Sequence, residues 1–391
     1  MITIQLKPKK EDSILRFHPW IFSGAIAGIS GKAQEGDLAR IVDCNRDFLG
    51  IGHYQIGSIA VRIITFSDED IDINFWKNKI RLAYLMRKRL GLVDSRPTNA
   101  YRLVHGEGDN LSGLVIDIYN STAVIQAHSV GMHCVREFLA KIITEEIPNI
   151  KNVYYKSENT LPFKANLNFK DGYLIENQID CIAKENDFLF NADWLAGQKT
   201  GFFIDQRENR SLLEHYAKNK DVLNMFCYTG GFSLYAMRGG AKSVHSVDSS
   251  ERAIVLTDRN IELNFANDSR HTSFCQNAFN FLENIDGKYD LIVLDPPAFA
   301  KHRDALKNAL QAYKRLNAKA FKQIKNGGIV FTFSCSQAVS KEQFRLAVFS
   351  AAAQSRRTVK ILHQLSQAAD HPVNIYHPEG EYLKGLVLYV E

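Results

Sequence analysis

The C-terminal half of the chain predicts an α/β fold in which a mostly parallel sheet is completed by an antiparallel hairpin. Two observations carry this. Four apolar runs, VLNMFCYTGG (222–231), VHSVD (244–248), YDLIVLDPP (289–297) and IVFTFSCS (329–336), each end in polar or Gly-rich residues, with helical patterns between them. Crossover helices cover both faces of such strands, so they read as apolar runs, and chemistry collects at their carboxyl ends. The chain then gives TVKILHQL (358–365) and GLVLYV (385–390), joined by a loop with no helical pattern. Parallel neighbours need a crossover, so these two strands pair antiparallel.

A chain of 391 residues is too long for one typical domain. Residues 1–70 predict a small β-barrel-like module from ITIQL, WIFSGAI, DLARIVD, FLGIGHY and IAVRIIT, short strands punctuated by glycine. The acidic SDEDID (67–72) marks a boundary, and residues 71–185 predict a small α+β domain. It holds a basic amphipathic helix over 73–91, a hairpin around the Gly-rich turn of RLVHGEGDNLSGLVIDIYN, the strand AVIQAH, a helix near 131–146 and further strands over 151–190. Residues 186–391 carry the α/β pattern. There GQKTGFFIDQRENR (197–210) leads into a helix, with Asp205 and Glu208 at capping-box spacing. A helix over 306–326 stops at Gly327-Gly328.

Apolar residues make up 45 % of the chain, yet no segment is long and apolar enough to span a membrane. MITIQLKPKKEDS lacks the apolar stretch of a signal peptide, which argues for the cytoplasm. The six cysteines are scattered without zinc spacing, so neither a metal nor a disulfide framework is expected, and five of them read as small buried hydrophobes. Net charge is a mild +5, but two runs are unbalanced. Residues 74–91 hold six Lys or Arg and no acid, and residues 301–325 hold eight against one Asp, which predicts a phosphate-facing surface.

The turn Tyr228-Thr229-Gly230-Gly231 after the first strand brings backbone close to a ligand. It is neither GxGxxG nor a GKT loop, so nucleotide di- and triphosphate cradles are poorly supported. Asp248 ends the next strand about 20 residues on, where a carboxylate can accept both hydroxyls of a ribose. Asn277 and the Ala278 amide, after the third strand, are placed to read an adenine edge, and an Asn there reads also as an ordinary helix N-cap. Asp295-Pro296-Pro297 ends the fourth strand, with a carboxylate facing the crevice and two prolines that forbid further pairing. Together these features point to S-adenosylmethionine on a class I methyltransferase Rossmann-like, seven-stranded sheet.

Cys335 selects among reactions. Carbon 5 of a pyrimidine accepts a methyl group only after a thiolate adds to carbon 6, so a cysteine at a strand terminus between Ser334 and Ser336 reads as the nucleophile. Cys227, where the cofactor turn begins, is the rival.

At these residues the chain resembles the ribosomal RNA large subunit methyltransferase I family, S-adenosylmethionine-dependent RNA cytosine-C5 methyltransferases with an N-terminal PUA domain. LKPKKEDSILRFHPWIFSGAI and FLGIGHY resemble the PUA domain, RLVHGEGDNLSGLVID the central domain, and GQKTGFFIDQRENR, FCYTGGFSLYA, LDPPAFAK, FSCS and DHPVNIYHPEGEYLKGL the catalytic domain. The resemblance implies Cys335 as nucleophile, Asp295 orienting a flipped base and Asp248 on the ribose. It also implies that Phe226, Tyr228, Thr229 and Gly230 line the methionine side, and that Lys199, Phe202, Asp205 and Arg207 cover the cofactor. Asn224 and Asn277 stand where the family commonly has Asp, and Pro297 stands where some RNA cytosine methyltransferases carry a second Cys. The implied partner is large-subunit ribosomal RNA, clamped by basic surface and stacking aromatics; Trp20, Phe22, His53 and Tyr54 could stack, but each by itself reads rather as barrel core. A homodimer is allowed but not specified. The alternatives are guanine-N7 methylation of ribosomal RNA without a nucleophile, and a non-catalytic RNA-binding factor that keeps the cofactor as a structural ligand.

Overall fold

A computed structural model describes all residues except 163–166, 177–180 and 301, so Lys301 of the second basic run and of LDPPAFAK lies outside the described residues. The chain forms two compact units. The first comprises Met1–Asp187, Ala192–Ile204 and Ala369–Gly380; the second comprises Phe188–Asn191, Asp205–Ala368 and Glu381–Glu391.

The first unit holds two sheets. A six-stranded sheet runs in the order Trp20–Phe22, Ile59–Thr65, Phe48–Tyr54, Leu38–Val42, Ile2–Leu6, Ile26–Ser30. WIFSGAI is therefore not one strand: a 3₁₀ turn at Ser23–Ala25 breaks it. The core of this sheet is Ile4, Leu6, Ile21, Ile41, Val61 and Ile63. A five-stranded sheet follows in the order Gly172–Ile175, Asn152–Tyr155, Thr122–Ala127, Leu114–Tyr119, Ala100–His105. The basic helix forms over Ile73–Arg89, capped by Asp72 accepting from the Asn74 and Phe75 amides. The helix expected near 131–146 is two, Val130–Cys134 and Arg136–Glu146.

The charge of the Ile73–Arg89 helix is partly structural, so not all of it is available to face phosphate. Arg87 is fully buried and pairs with Asp109, and it also donates to the carbonyls of Arg102 and Asp370, both at 2.7 Å. Lys77 pairs with Glu145 at 2.8 Å. Spacing also missed a convergence: ligand atoms of His18, His377 and Glu379 lie within 4.8 Å of one another.

His53 is core rather than a stacking platform. A Cβ at Gly131 would sit 2.1 Å from its ring, and its Nδ1 has no partner among the described residues. Burial pulls its pKa down to about 4. An unfolded histidine binds its proton below about 6.5, whereas this one stays neutral until about 4, so stability is present above 6.5 and is lost as pH falls through that window. Going from pH 6.5 to 5 is expected to cost about 2 kcal/mol through His53. Urea midpoints at the two pH values check this. The drop should shrink in His53→Gln, and an equal drop in both proteins would remove the assignment.

The second unit is built on a seven-stranded sheet. Its strands are β1 (Asp221–Met225), β2 (Ser243–Asp248), β3 (His271–Cys275), β4 (Leu291–Leu294), β5 (Gly328–Ser334), β6 (Val359–Leu365) and β7 (Lys384–Val390). The order is β3-β2-β1-β4-β5-β7-β6, parallel except for β7, which is antiparallel to both neighbours. The helices are α1 (Arg207–Tyr216), α2 (Gly231–Arg238), α3 (Glu251–Asn264), α4 (Ala278–Phe281), α5 (Leu306–Gln323) and α6 (Lys341–Ser355). Every residue of β4 and β5 is buried, as expected for central strands covered on both faces. Helix α5 turns Ala309, Tyr313, Leu316, Ala320 and Phe321 inward. Its residues Lys307 and Arg315 are exposed, and neither makes an ion pair with a described residue.

Two smaller expectations are corrected. Asp205 and Glu208 form no capping box; α1 starts after Gln206 with no side-chain cap, because Asp205 instead accepts a 2.6 Å hydrogen bond from the Tyr382 hydroxyl. Only Cys227 is a buried cysteine, and Cys44, Cys134 and Cys275 are exposed. Asn224 is engaged inside the sheet, donating to Ser233 Oγ at 2.9 Å; Ser233, Ser246 and His271 continue the chain of hydrogen bonds.

Candidate active site at the carboxyl ends of the sheet

The turn after β1 is a run of left-handed residues: Phe226 (φ 59°), Tyr228 (φ 47°) and Gly230 (φ 78°). Non-glycine residues adopt this conformation only when their surroundings impose it. Helix α3 does so here. Thr257 donates to the Tyr228 carbonyl at 2.7 Å, and Asn260 donates to the Thr229 carbonyl at 2.8 Å. Neither helper was legible in the sequence. A Cβ at Gly230 would lie 2.8 Å from the Thr257 methyl, so the position requires glycine twice over.

Asp248 closes the same turn. One carboxylate oxygen accepts from the Tyr228 amide at 3.1 Å and the other from the Ser250 amide at 2.9 Å. Ser250, not Asp248, caps α3. A carboxylate has about four acceptor sites, so two remain for the paired hydroxyls of a ribose. A left-handed backbone turn beside such a carboxylate fits S-adenosylmethionine. Asn277 caps α4, accepting from the Phe279 amide at 2.9 Å, with Ala278 buried beside it. Asp205 and Arg207 are buried at the entry to α1. Lys199 and Phe202 belong to the first unit. There Phe202 is buried and accepts from Tyr119, and Lys199 lies over the Phe203 ring.

Gly230→Ala is expected to weaken S-adenosylmethionine binding at least tenfold, since it adds both a strained φ and a steric overlap, together worth more than about 1.4 kcal/mol. Calorimetric titration measures it; a dissociation constant within twofold of the parent would show that the turn does not shape the site.

The second cluster joins β4 and β5. Cys335 is half-buried, with its sulfur 3.9 Å from the Pro296 carbonyl, inside the Asp295-Pro296-Pro297 turn. Its two serine neighbours are buried and both meet the Tyr313 hydroxyl, Ser334 at 2.9 Å and Ser336 at 3.1 Å. Ser336 Oγ also accepts from the Ala300 amide at 3.3 Å, which ties the β5 end to the loop after β4. Asp295 is held by Gln206, whose amide donates to it at 3.1 Å; Asn209 in turn donates to Gln206 at 2.6 Å. Sequence reasoning missed Gln206, Asn209 and Tyr313, although the first two sit inside the DQRENR motif that it used. Cys227, the rival nucleophile, is buried against Thr257, and burial pushes its thiol pKa well up. It is poorly suited to act as a thiolate.

A family model of S-adenosylmethionine-dependent methyltransferases matches residues 172–374, and a PUA-like domain model matches residues 4–66. The ribosomal RNA large subunit methyltransferase I of Alteromonas mediterranea is 39 % identical over 98 % of both chains. The chain belongs to the ribosomal RNA large subunit methyltransferase I family. The family's protein from Tolumonas auensis is likewise 39 % identical, over 99 % of this chain and 98 % of its own. The family is S-adenosylmethionine-dependent, as the turn and Asp248 lead one to expect. Among solved structures, a putative SAM-dependent methyltransferase from Streptococcus mutans matches all of this chain with a TM-score of 0.85 at 21 % identity. A putative methyltransferase complexed with SAH does so with a TM-score of 0.86, also at 21 %. Both share the fold.

Proposed function

We propose that this methyltransferase forms 5-methylcytosine in large-subunit ribosomal RNA, with Cys335 adding transiently to carbon 6 of the target base. The observation that supports the reading is the 3.9 Å approach of the Cys335 sulfur to the carbonyl of Pro296, the residue after Asp295 in the DPP turn. Bound S-adenosylmethionine supplies the methyl group. The Cys335 thiolate attacks carbon 6, and the displaced electron pair makes carbon 5 nucleophilic. After methylation a general base takes the carbon 5 proton, the electron pair of that C–H bond restores the 5,6 double bond, and the C6–S bond breaks to release the thiolate. Asp295, oriented by Gln206, holds the flipped base by its polar edge. The PUA-like module (residues 1–70), the central domain (71–185) and the catalytic domain (186–391) divide the work, the first two gripping RNA. The relatives' name supports ribosomal RNA as substrate.

The test is methyl transfer from labelled S-adenosylmethionine to unmodified ribosomal RNA, followed by digestion and mass analysis of the nucleosides. 5-Methylcytosine is expected. Label recovered as 7-methylguanosine would overturn the reading, and cofactor binding with no transfer to any RNA would leave a non-catalytic binding factor.

A further inference from the structure

Lys384 opens β7 and is the register partner of Ser334 on β5. Its side chain folds across the strand end, where Nζ donates to the Ser336 carbonyl at 2.6 Å. The residue between those two contacts is Cys335. The amine of Lys384 is thereby fixed across the short segment that bears the sulfur. Lys384 is only 4 % exposed. A buried ammonium is unfavourable unless an anion accompanies it. Among the described residues no carboxylate lies within ion-pair distance of its Nζ, and Glu381, three residues before it, pairs with Lys341. The Tyr313 hydroxyl from α5 is bonded to both Ser334 and Ser336, and the other charged groups acting on the Lys384 amine are Glu381 and Lys341.

Resting on the nucleophile reading above, we propose that Lys384 is a positioning residue that takes the proton of Cys335 and keeps its sulfur as a thiolate. The S–H bond breaks, its electron pair stays on sulfur, and the proton turns the amine into an ammonium. The thiolate leaves this pair when it bonds to carbon 6 and rejoins it when the adduct is eliminated. Burial lowers the Lys384 pKa to about 8, with the charges of Cys335 and Glu381 acting in the opposite sense.

The experiment is alkylation of the full-length protein by iodoacetamide across a pH series, without RNA or cofactor. The tryptic peptide 326–341, whose single cysteine is Cys335, is quantified by mass. In the wild type the alkylation midpoint should fall at least one unit below ~8.5. Lys384→Gln removes the charge but can still donate to the Ser336 carbonyl. It should raise the midpoint by a unit or more and slow alkylation at pH 7 about tenfold. Lys384→Arg should keep the low midpoint. A wild-type midpoint at or above 8.5, or an unchanged one in Lys384→Gln, overturns the proposal, and the wild-type measurement does so even if the variants misfold. An unchanged midpoint with Cys335→Ala inactive would fail the lysine alone; a shifted midpoint with Cys335→Ala fully active would fail the covalent route alone.

Discussion

Cys335→Ala is expected to lose methyl transfer by on the order of 10³-fold or more, a barrier increase of at least about 4 kcal/mol. The reasoning is chemical. Without addition at carbon 6, carbon 5 of cytosine has too little electron density to displace a methyl group, and no neighbouring cysteine can substitute: Cys227 is buried with its thiol pKa pushed up. The loss should appear in kcat, because Cys335 sits by Pro296 while the cofactor turn is held by Thr257, Asn260 and Asp248. S-adenosylmethionine affinity, measured by titration calorimetry, should stay within twofold. Activity within tenfold of the parent, in a variant that binds cofactor normally, would sink the covalent mechanism.

Arg87→Met and Asp109→Leu should each destabilise the first unit by about 3–5 kcal/mol. The Arg87 guanidinium is fully buried and the Asp109 carboxylate nearly so. Arg87 spends its donors on Asp109, the Arg102 carbonyl and the Asp370 carbonyl, and Asp109 also accepts from the His105 amide at 2.6 Å. Removing either partner leaves the other charge in a low-dielectric interior. Removing both removes that penalty, so the double variant should be more stable than the less stable single one. Denaturant unfolding of the four proteins forms a double-mutant cycle. Additive losses would mean that the two charges are not coupled.

The catalytic sheet was legible because its signals are local. Apolar runs ending in TGG, VD, DPP and SCS mark strands and their carboxyl ends, and the missing crossover before GLVLYV marks the antiparallel strand. The residues that hold the site were not legible, because what they do depends on tertiary contact. Gln206 reaches Asp295 across 89 positions, and Thr257 reaches Tyr228 across 29. Competition between roles misled the rest. Asp205 had the spacing of a cap but is taken by Tyr382. Arg87 counts as surface charge in a tally of basic residues, yet it is a core residue.

The interior position of β7 bears on how the protein is made. It hydrogen-bonds to β5 on one side and β6 on the other, although it is the last strand in chain order. While residues 384–390 are still untranslated or inside the ribosomal exit tunnel, β5 and β6 present unzipped edges, the kind that invite pairing with other chains. Lys384 arrives with that strand. A nascent chain would therefore carry Cys335 before it carries Lys384, and the sheet would be completed only once that strand arrives.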